Sequence, residues 1–488
     1  MYGLSRRNFL KTTIGTSAAL AFSNIIVNNK VLGANDLINV AVVGVRSKGA
    51  HHIKLFSKIP GVRVAALCDV DTSMLDREEQ KFKDRGEKVK RYTDVRKLLE
   101  DRDIDAIVIA TPNHWHSLIA IWGCQAGKDV YVEKPVSHNV WEGRKVVEAA
   151  RKYKRIVQAG TQSRSDEALQ QVFAYLREGH LGEIKLARGL CYKRRKSIGL
   201  VNGPQPIPET VDYNLWTGPA PLRPLMRQRL HYDWHWQWAT GNGDIGNQGV
   251  HEMDMCRWAL GQNKLPRRVL SIGGRFGYID DGETANTQIA FFDYEPAPLI
   301  FEVRGLPRKA EENAMGHYRG VRVGIVIHCE DGYFAGGAGG GWIYDKKGKK
   351  IKQFTSTGGG GHQANFIEAV RARKREILNA DIEEGHKSSA LCHLANISYQ
   401  LGQHSSPAEI ATAIDFMPWL ESTFSRFQAH LAMNNVNLRE NKAALGPMLA
   451  FDPEKERFVK GSDYDMAYWA NLMARGEYRQ PFVVPEKV

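Results

Sequence analysis

Four clusters in this chain have side chains of the type and spacing that chemistry needs. Gly44-Val-Arg-Ser-Lys-Gly49 follows the apolar run Ile38–Val43 and opens an amphipathic stretch that reaches Phe56. A glycine turn between strand and helix offers free backbone N–H groups to a pyrophosphate. Gly44 and Gly49 hold the first and last glycine places, Arg46 stands where a middle glycine would be, and Ser47 lies between. Asp69 comes 20 residues after Gly49, at the end of the next apolar run. A carboxylate there accepts from a ribose diol and repels a 2′-phosphate, which favours NAD over NADP. Arg46 and Lys48 pull toward NADP. An ordinary glycine turn is the plain alternative.

The second cluster is Val130-Tyr-Val-Glu-Lys-Pro135. Lys134 follows an apolar strand at the carboxyl edge of a sheet, where α/β sites form, and Pro135 fixes a turn after it. The third is Gly241–His251. Gly241-Asn-Gly reads as a turn and Asp244 as the N-cap of one helix running to Leu260. Spacing by four then puts Asn247 and His251 on one face, with Asp244 a turn earlier. A neutral imidazole at His251 suits proton removal near neutrality; a buried structural histidine is the alternative. The fourth is His231-Tyr-Asp-Trp-His-Trp-Gln-Trp238. If extended, it puts Tyr232, Trp234, Trp236 and Trp238 on one face and His231, Asp233, His235 and Gln237 on the other. That suits either sugar stacking and hydroxyl binding or a core stripe. No Cys or acid completes a metal signature around His114/His116 or His231/His235, so no metal is expected.

The elements that must position these groups alternate strand and helix. Strands are expected at Ile38–Val43, Arg63–Val70, Lys88–Tyr92, Ala106–Ala110, Val130–Val132 and Ile156–Ala159. Helices are expected from the glycine turn to Phe56 and over Ser73–Arg85, Ser117–Ala126 and Val140–Lys152. This is the signature of a parallel, doubly wound sheet. Farther on, Gly336–Gly341 and Gly358–Gly361 punctuate strands at Trp342–Tyr344 and Ile351–Phe354. His362, before a helix over Gln363–Arg373, is a conceivable substrate contact. Lys193-Arg-Arg-Lys196 is read as a solvated loop, with an acidic-sugar contact as the alternative.

At 488 residues, with 43% hydrophobic and 25% charged side chains, the chain is neither disordered nor a multi-span membrane protein. Its six cysteines show no C-x-x-C and are expected to be mostly buried and unpaired. The net charge is +13, and the first 34 residues carry four of those charges on Arg6, Arg7, Lys11 and Lys30, with no acid. Ser5-Arg-Arg-Asn-Phe-Leu-Lys11 before a mildly apolar run from Thr12 to Val27 is the pattern of a twin-arginine export signal. The run is too short and polar for a confident membrane span. The expected location is the periplasm, reached through the twin-arginine machinery, with anchoring by an uncleaved signal left open. The remaining charge lacks the basic helix or aromatic–basic interleaving of a nucleic-acid groove.

Ala110-Thr-Pro-Asn-His-Trp-His116 and Val130–Pro135, each after a strand, together with the broken glycine turn and Asp69, resemble the Gfo/Idh/MocA oxidoreductases. Leu215–Pro221, Gly241–His251, Ala395–Tyr399 and Phe451–Phe458 resemble the exported bacterial branch of that family. The resemblance implies a Rossmann domain followed by an α/β domain with a large, mainly antiparallel sheet. One face of that sheet would pack helices and the other stay open for substrate and subunit contacts, in a homo-oligomer, dimer or tetramer. The expected organisation is a signal over 1–34, an NAD-binding domain over 35–158, a substrate domain over 159–430 and an extension over 431–488.

The resemblance also implies tightly held NAD near Glu133, Lys134 and Pro135, with Thr111, Pro112, Asn113 and His116 lining it. Lys134 would steady an alkoxide and His251 would be the base. Family dehydrogenases commonly carry Asp where Asn247 stands, so His251 acts alone, with Asp244, or with another segment. Two reactions fit: hydride transfer from a carbinol of a sugar, sugar acid or glycoside, or glycoside cleavage through transient C3 oxidation, elimination and water addition. The cleavage needs a base for the C2 proton, for which Tyr232, Asp233 and His235 are candidates. A cofactor- and sugar-binding protein without turnover is the third reading.

Overall fold

The computed structural model describes residues 37–358, 360–460 and 464–488, with only the backbone for 464 and 465. The export-signal segment, 1–34, lies outside the described residues. From Ile38 onward the first half alternates β1 (Ile38–Val43), α1 (Ser47–Phe56), β2 (Val62–Cys68), α2 (Thr72–Lys83), β3 (Lys90–Tyr92), α3 (Val95–Leu99), β4 (Ala106–Ile109), α4 (Asn113–Gln125), β5 (Asp129–Val132), α5 (Val140–Lys152) and β6 (Val157–Ala159). The strands pair in parallel in the order β3-β2-β1-β4-β5-β6. β1, β4 and β5 are almost wholly apolar and buried on both faces, as a sheet covered by helices on each side requires. The order reverses between β1 and β4. Their carboxyl ends therefore splay the chain apart and leave a crevice there.

The second half is built on one sheet of mixed direction. After α6 (Glu167–Arg177) come β7 (Ile184–Tyr192), α7 (Tyr213–Thr217), α8 (Gly243–Asn247), α9 (Gly249–Ala259), β8 (Arg268–Gly274), β9 (Thr287–Phe292), β10 (Leu299–Arg304), β11 (Val323–Cys329), β12 (Gly332–Gly337), β13 (Gly340–Asp345) and β14 (Lys350–Thr355). α10 (His362–Ala372), α11 (Ile382–Gln400), β15 (Gln403–Ser405), α12 (Pro407–Ile414), α13 (Pro418–Ala432) and β16 (Ala443–Leu445) follow. The strand order is β14-β13-β12-β11-β7-β10-β9-β8-β16-β15, antiparallel except for β7 with β10. The glycine runs form the β12–β13 hairpin and the approach to α10, as expected.

One sheet face packs α6, α9 and α11 through Phe173, Met253, Phe301 and Leu394. The other face is not open along β8–β10. Leu270, Ile289 and Ile300 are covered there by Ile410 of α12 and by Phe424, Phe427 and Leu431 of α13. An ion cluster pins α13 down: Glu302 of β10 takes Arg188 at 2.5 Å and Arg426 at 2.6 Å.

The layers over the parallel sheet are not contiguous in sequence. Phe366 and Ile367 of α10 join Val40, Val42 and Tyr131 in one core. Phe482, Val484 and Val488 at the C-terminus join Trp115 and Ile119 in another. Boundaries at 158 and 430 thus cut through packed layers. Of the six cysteines, none is paired; five are buried and Cys329 is half-buried. No helix among the described residues is long and apolar enough to cross a membrane.

Candidate active site

A cleft of about 350 Å³ opens at the carboxyl ends of β1, β2, β4 and β5. Its floor is the glycine turn. Gly44 has φ +81°, and a Cβ there would sit 2.7 Å from the Ala110 carbonyl oxygen. A Cβ on Gly49 would lie 1.7 Å from the Gly44 carbonyl oxygen, so neither position tolerates a side chain. Arg46 is the N-cap of α1 and exposed, with Ser47 beginning the helix, so their backbone faces the cleft from a helix start. Asp69 lines the cleft with one carboxylate oxygen accepting from Val45 N–H (2.8 Å) and the other from Asp71 N–H (3.0 Å). Each oxygen keeps a lone pair for a ligand, and burial raises its pKa.

Across the crevice, β4 delivers Thr111, Pro112 and Asn113. Thr111 Oγ1 is buried and has no partner in the protein, which costs free energy unless a ligand satisfies it. Asn113 is buried and donates to Asn242 Oδ1 at 2.9 Å, so it ties α4 to the second half of the chain. His116 sits between two carbonyls, Thr111 (2.7 Å) and Pro135 (2.6 Å), and so clamps the ends of β4 and β5 together.

Glu133 ends β5. Its Oε1 faces His52 at 2.8 Å, Lys48 at 3.4 Å and Gln162 Nε2 at 3.1 Å. Burial works against ionisation, but His52, Lys48 and Lys134 together hold the carboxyl well below its ordinary range. Lys134 lines the cleft and donates from Nζ to the Asn247 carbonyl oxygen. Burial lowers its pKa against the pull of Glu133.

The third and fourth clusters depart from the sequence reading. The helix expected to run to Leu260 breaks at Gln248 into α8 and α9, so Asn247 and His251 do not share a continuous face. Asn247 lines the cleft and serves through its backbone carbonyl. His251 lines a second cavity of about 380 Å³ with Gln162, Ser163 and Glu252. Burial first, then the charge of Lys134, push His251 down to about 3. Asn242, not Asp244, occupies the N-cap. Asp244 is buried and takes Arg195 on both oxygens, at 2.7 and 2.5 Å, which removes it from the reacting groups. Arg195 is thereby drawn out of the Lys193–Lys196 loop, whose other members are solvated.

Residues 231–238 are not extended. Asp233–Trp236 is a turn of 3₁₀-helix entered through Tyr232 at φ +70°. The strict alternation is lost because 3₁₀ geometry sets side chains three to a turn. Asp233 turns inward, fully buried, to Arg229 at 2.9 and 3.0 Å, and leaves the site. His231, Tyr232, Trp234 and His235 line the cleft. His231 reaches Asp71 at 3.0 Å and anchors the turn on the nucleotide side. Trp234 stacks on His235 with centroids 3.6 Å apart. His235 Nδ1 lies 2.5 Å from the Tyr232 carbonyl, which fixes the proton on Nδ1 and leaves Nε2 as an acceptor. Burial, then the backbone bond working against it and Lys134 with it, leave His235 at about 3. Gly241 closes this turn: a Cβ there would lie 2.5 Å from the His235 carbonyl oxygen.

His362 is fully buried, held by Ser165 Oγ (2.6 Å) and the Ala159 carbonyl (3.0 Å), and lines neither of the two cavities described above. Sequence reading missed Glu252 and the Arg195–Asp244 pair. Glu252 stands next to His251 and signals nothing until its burial is seen. Among the described residues no group of three or more His, Cys, Asp or Glu is arranged to hold a metal.

A parallel sheet with a glycine turn at its switch point defines a dinucleotide-binding α/β protein. Comparison with known proteins carries this further. The profile of the oxidoreductase family's NAD-binding Rossmann fold matches residues 38–161, and that of the family's C-terminal alpha/beta domain matches 184–273. Both domains of the Gfo/Idh/MocA family are thus matched, in order, over these two stretches. A glycosyl hydrolase family 109 protein of Shewanella baltica is 31% identical over 207 residues, 38% of this chain and 45% of the relative. An alpha-N-acetylgalactosaminidase of Shewanella oneidensis is 30% identical over the same shares. The match thus spans less than half the length of either relative. Among solved structures, the WlbA dehydrogenase of Bordetella pertussis, crystallised with NADH and UDP-GlcNAcA, superposes with a TM-score of 0.55 at 19% identity. It covers 74% of this chain and 95% of that one, a likeness of fold.

Proposed function

We propose that this protein holds NAD in the first cleft and moves a hydride from a carbinol of a sugar, sugar acid or glycoside. The observation that carries the reading is convergence: the glycine turn, the unpartnered Thr111 hydroxyl, Asp69 and the Lys134 ammonium line one cleft. Gly44 and Gly49 let the backbone approach the pyrophosphate with Arg46 and Ser47 at the helix start, and Asp69 takes the ribose diol. Thr111, Pro112 and Asn113 form the opposite wall. Glu133, ionised among His52, Lys48 and Lys134, sets the charge balance behind Lys134. NAD rather than NADP fits the Asp69 carboxylate. When bound, the cofactor supplies the hydride acceptor. The chain's own groups do the rest: Lys134 steadies the oxyanion that develops as the hydroxyl proton leaves, and His251, lining the second cavity, takes that proton as a weak base, since burial and Lys134 hold it at about 3.

The relatives favour a second reading on the same site. A glycosidase of this kind oxidises the sugar at C3, removes the C2 proton, expels the aglycone from C1, adds water and returns the hydride. His235 is the base for the C2 proton, because its Nε2 is free to accept and its tautomer is fixed. Tyr232, which is half exposed and receives Arg195 on its hydroxyl at 3.0 Å, flanks it.

Mass spectrometry of the protein as purified, followed by incubation with a panel of sugars and p-nitrophenyl glycosides, tests both readings. Recovered NAD with ketosugar formation supports the first. Aglycone release with solvent deuterium at C2 of the product supports the second. Absence of any dinucleotide, both as purified and after titration with NAD, sinks both. The N-terminal segment supports export of the folded, cofactor-loaded protein to the periplasm. Replacing Arg6 and Arg7 by Lys is expected to leave the protein in the cytoplasmic fraction; unchanged export removes that assignment.

A further inference from the structure

The second cavity holds a group that neither reaction employs. Glu252 stands in the first turn of α9, 3% exposed. Its Oε1 accepts from Gln248 Nε2 at 3.0 Å, whereas its Oε2 is buried and has no partner. Around it lie Gln162, Ser163 and His251 on one side. Gly324, Gly337, Ala338 and Gly358 contribute little or no side chain to the rest of the wall, which Met255 and Val323 complete. Such a wall leaves room for a ring-sized ligand against the polar side. β7 closes in behind, where a Cβ on Gly189 would come within 3.3 Å of the Glu252 Cβ.

The charged and titratable groups that Glu252 meets are Lys134 and Lys193, with the thiols of Cys191, Cys256 and Cys392 on the packed elements. Neither lysine forms an ion pair with it. Burial pushes its carboxyl up to about 8, against the weaker pull of Gln248 and Lys134. At neutral pH the group is a carboxylic acid, and its O–H is a donor that no protein acceptor takes. Native structures rarely leave such a donor empty.

We propose that Glu252 is a specificity-determining residue that donates through its carboxyl group to a hydroxyl or acyl oxygen of an uncharged sugar unit seated in the second cavity beside His251. This rests on the sugar reading above. Lys134, which lines the first cleft and whose charge reaches His251, then stands between the cofactor and the sugar.

The test is calorimetric titration of the NAD-loaded protein with galactose, glucose and their 2-acetamido counterparts at pH 7 and pH 9. Wild type is expected to lose about tenfold in affinity between the two, as the donor becomes an anion. E252Q keeps a donor that does not titrate, so its pH dependence flattens; any part due to Lys134 persists in it and is read separately. E252L is expected to bind at least tenfold more weakly at both pH values, with its thermal melt and NAD affinity showing that it is folded. Wild-type affinity in E252L, or an undiminished pH dependence in E252Q, overturns the role of Glu252 while leaving the sugar reading intact. If the NAD-loaded wild type binds none of the four sugars and turns over no member of the panel, the sugar reading falls first and this inference with it.

Discussion

Lys134 is placed by contacts on both sides: Glu133 before it, the Asn247 carbonyl in front of it, and burial around it. Under the proposed reaction, Lys134→Ala removes a fixed charge from where the oxyanion would develop, so kcat should fall by about 10²–10³-fold. NAD affinity should change little, since the glycine turn and Asp69 are untouched. Fluorescence titration beside steady-state rates separates the two; an equal loss in both would move Lys134 from chemistry to cofactor binding. His251 and His235 are each held at about 3, below the ordinary 6.5. A histidine whose pKa is lowered stays neutral, and able to accept a proton, until the pH falls through the lowered value. The pH profile of kcat/KM should therefore show no acid limb near 6.5. An inflection there, removed by His251→Asn, would show that the imidazole is wetter than this geometry allows.

At the scale of elements, the glycines mark where backbones approach most closely. Gly241→Ala drives a methyl into the His235 carbonyl. The 3₁₀ turn must shift, which costs about 1–3 kcal/mol of stability. Because His231–His235 lines the cleft, activity should drop more than the melting temperature implies; a variant with wild-type rates would detach this turn from the site. The same elements show what sequence could and could not reveal. The expected segments located all six parallel strands: five are largely apolar and buried, and the exposed edge strand β3, Lys-Arg-Tyr, was placed by the strand–helix alternation around it. Periodicity failed at 231–238, where aromatic and polar residues alternate by twos but Tyr232 enters with positive φ. It failed at Gln248, although Gly246 and Gly249 flank the break. The placement of Lys134, Asp69 and the glycine turn on one cleft was legible because strand ends and turns are local features. Asp244 was misread because its partner Arg195 is set by tertiary packing, and Asp233 because it meets Arg229, only four residues away, through the 3₁₀ turn and not across an extended strand. Glu252 was illegible for the same reason as Asp244: only burial distinguishes it from a solvated helix glutamate.

At the scale of the whole molecule, two interlocks decide stability. Glu302 is buried among Arg188, Arg426 and Arg304; burial raises its pKa, but those charges bring it to about 2, against 4.5 unfolded. Its stabilising contribution is complete above about 4.5 and is lost as pH falls through about 2. The melting temperature should decline across that window, and Glu302→Gln should lessen the slope while lowering stability at neutral pH; an unchanged slope would place the acid sensitivity elsewhere. The second interlock is the C-terminus on Trp115. Phe482→Ala should cost about 3–5 kcal/mol and loosen NAD binding, although residue 482 lies far along the chain from the glycine turn. Intact NAD affinity in that variant would mean that the parallel sheet holds its shape unaided.

That second interlock also orders events in time. A ribosome makes Trp115 long before it makes Phe482, Val484 and Val488. Through most of synthesis, the α4 side of the parallel sheet lacks the residues that finish its apolar cover. The crevice beside it reaches its final form only when residues 482–488 emerge. A chain stalled before residue 482 is therefore marked by an uncovered Trp115 on its nucleotide half. Emergence of residues 482–488, readiness to hold the dinucleotide and loss of that sticky surface become one event.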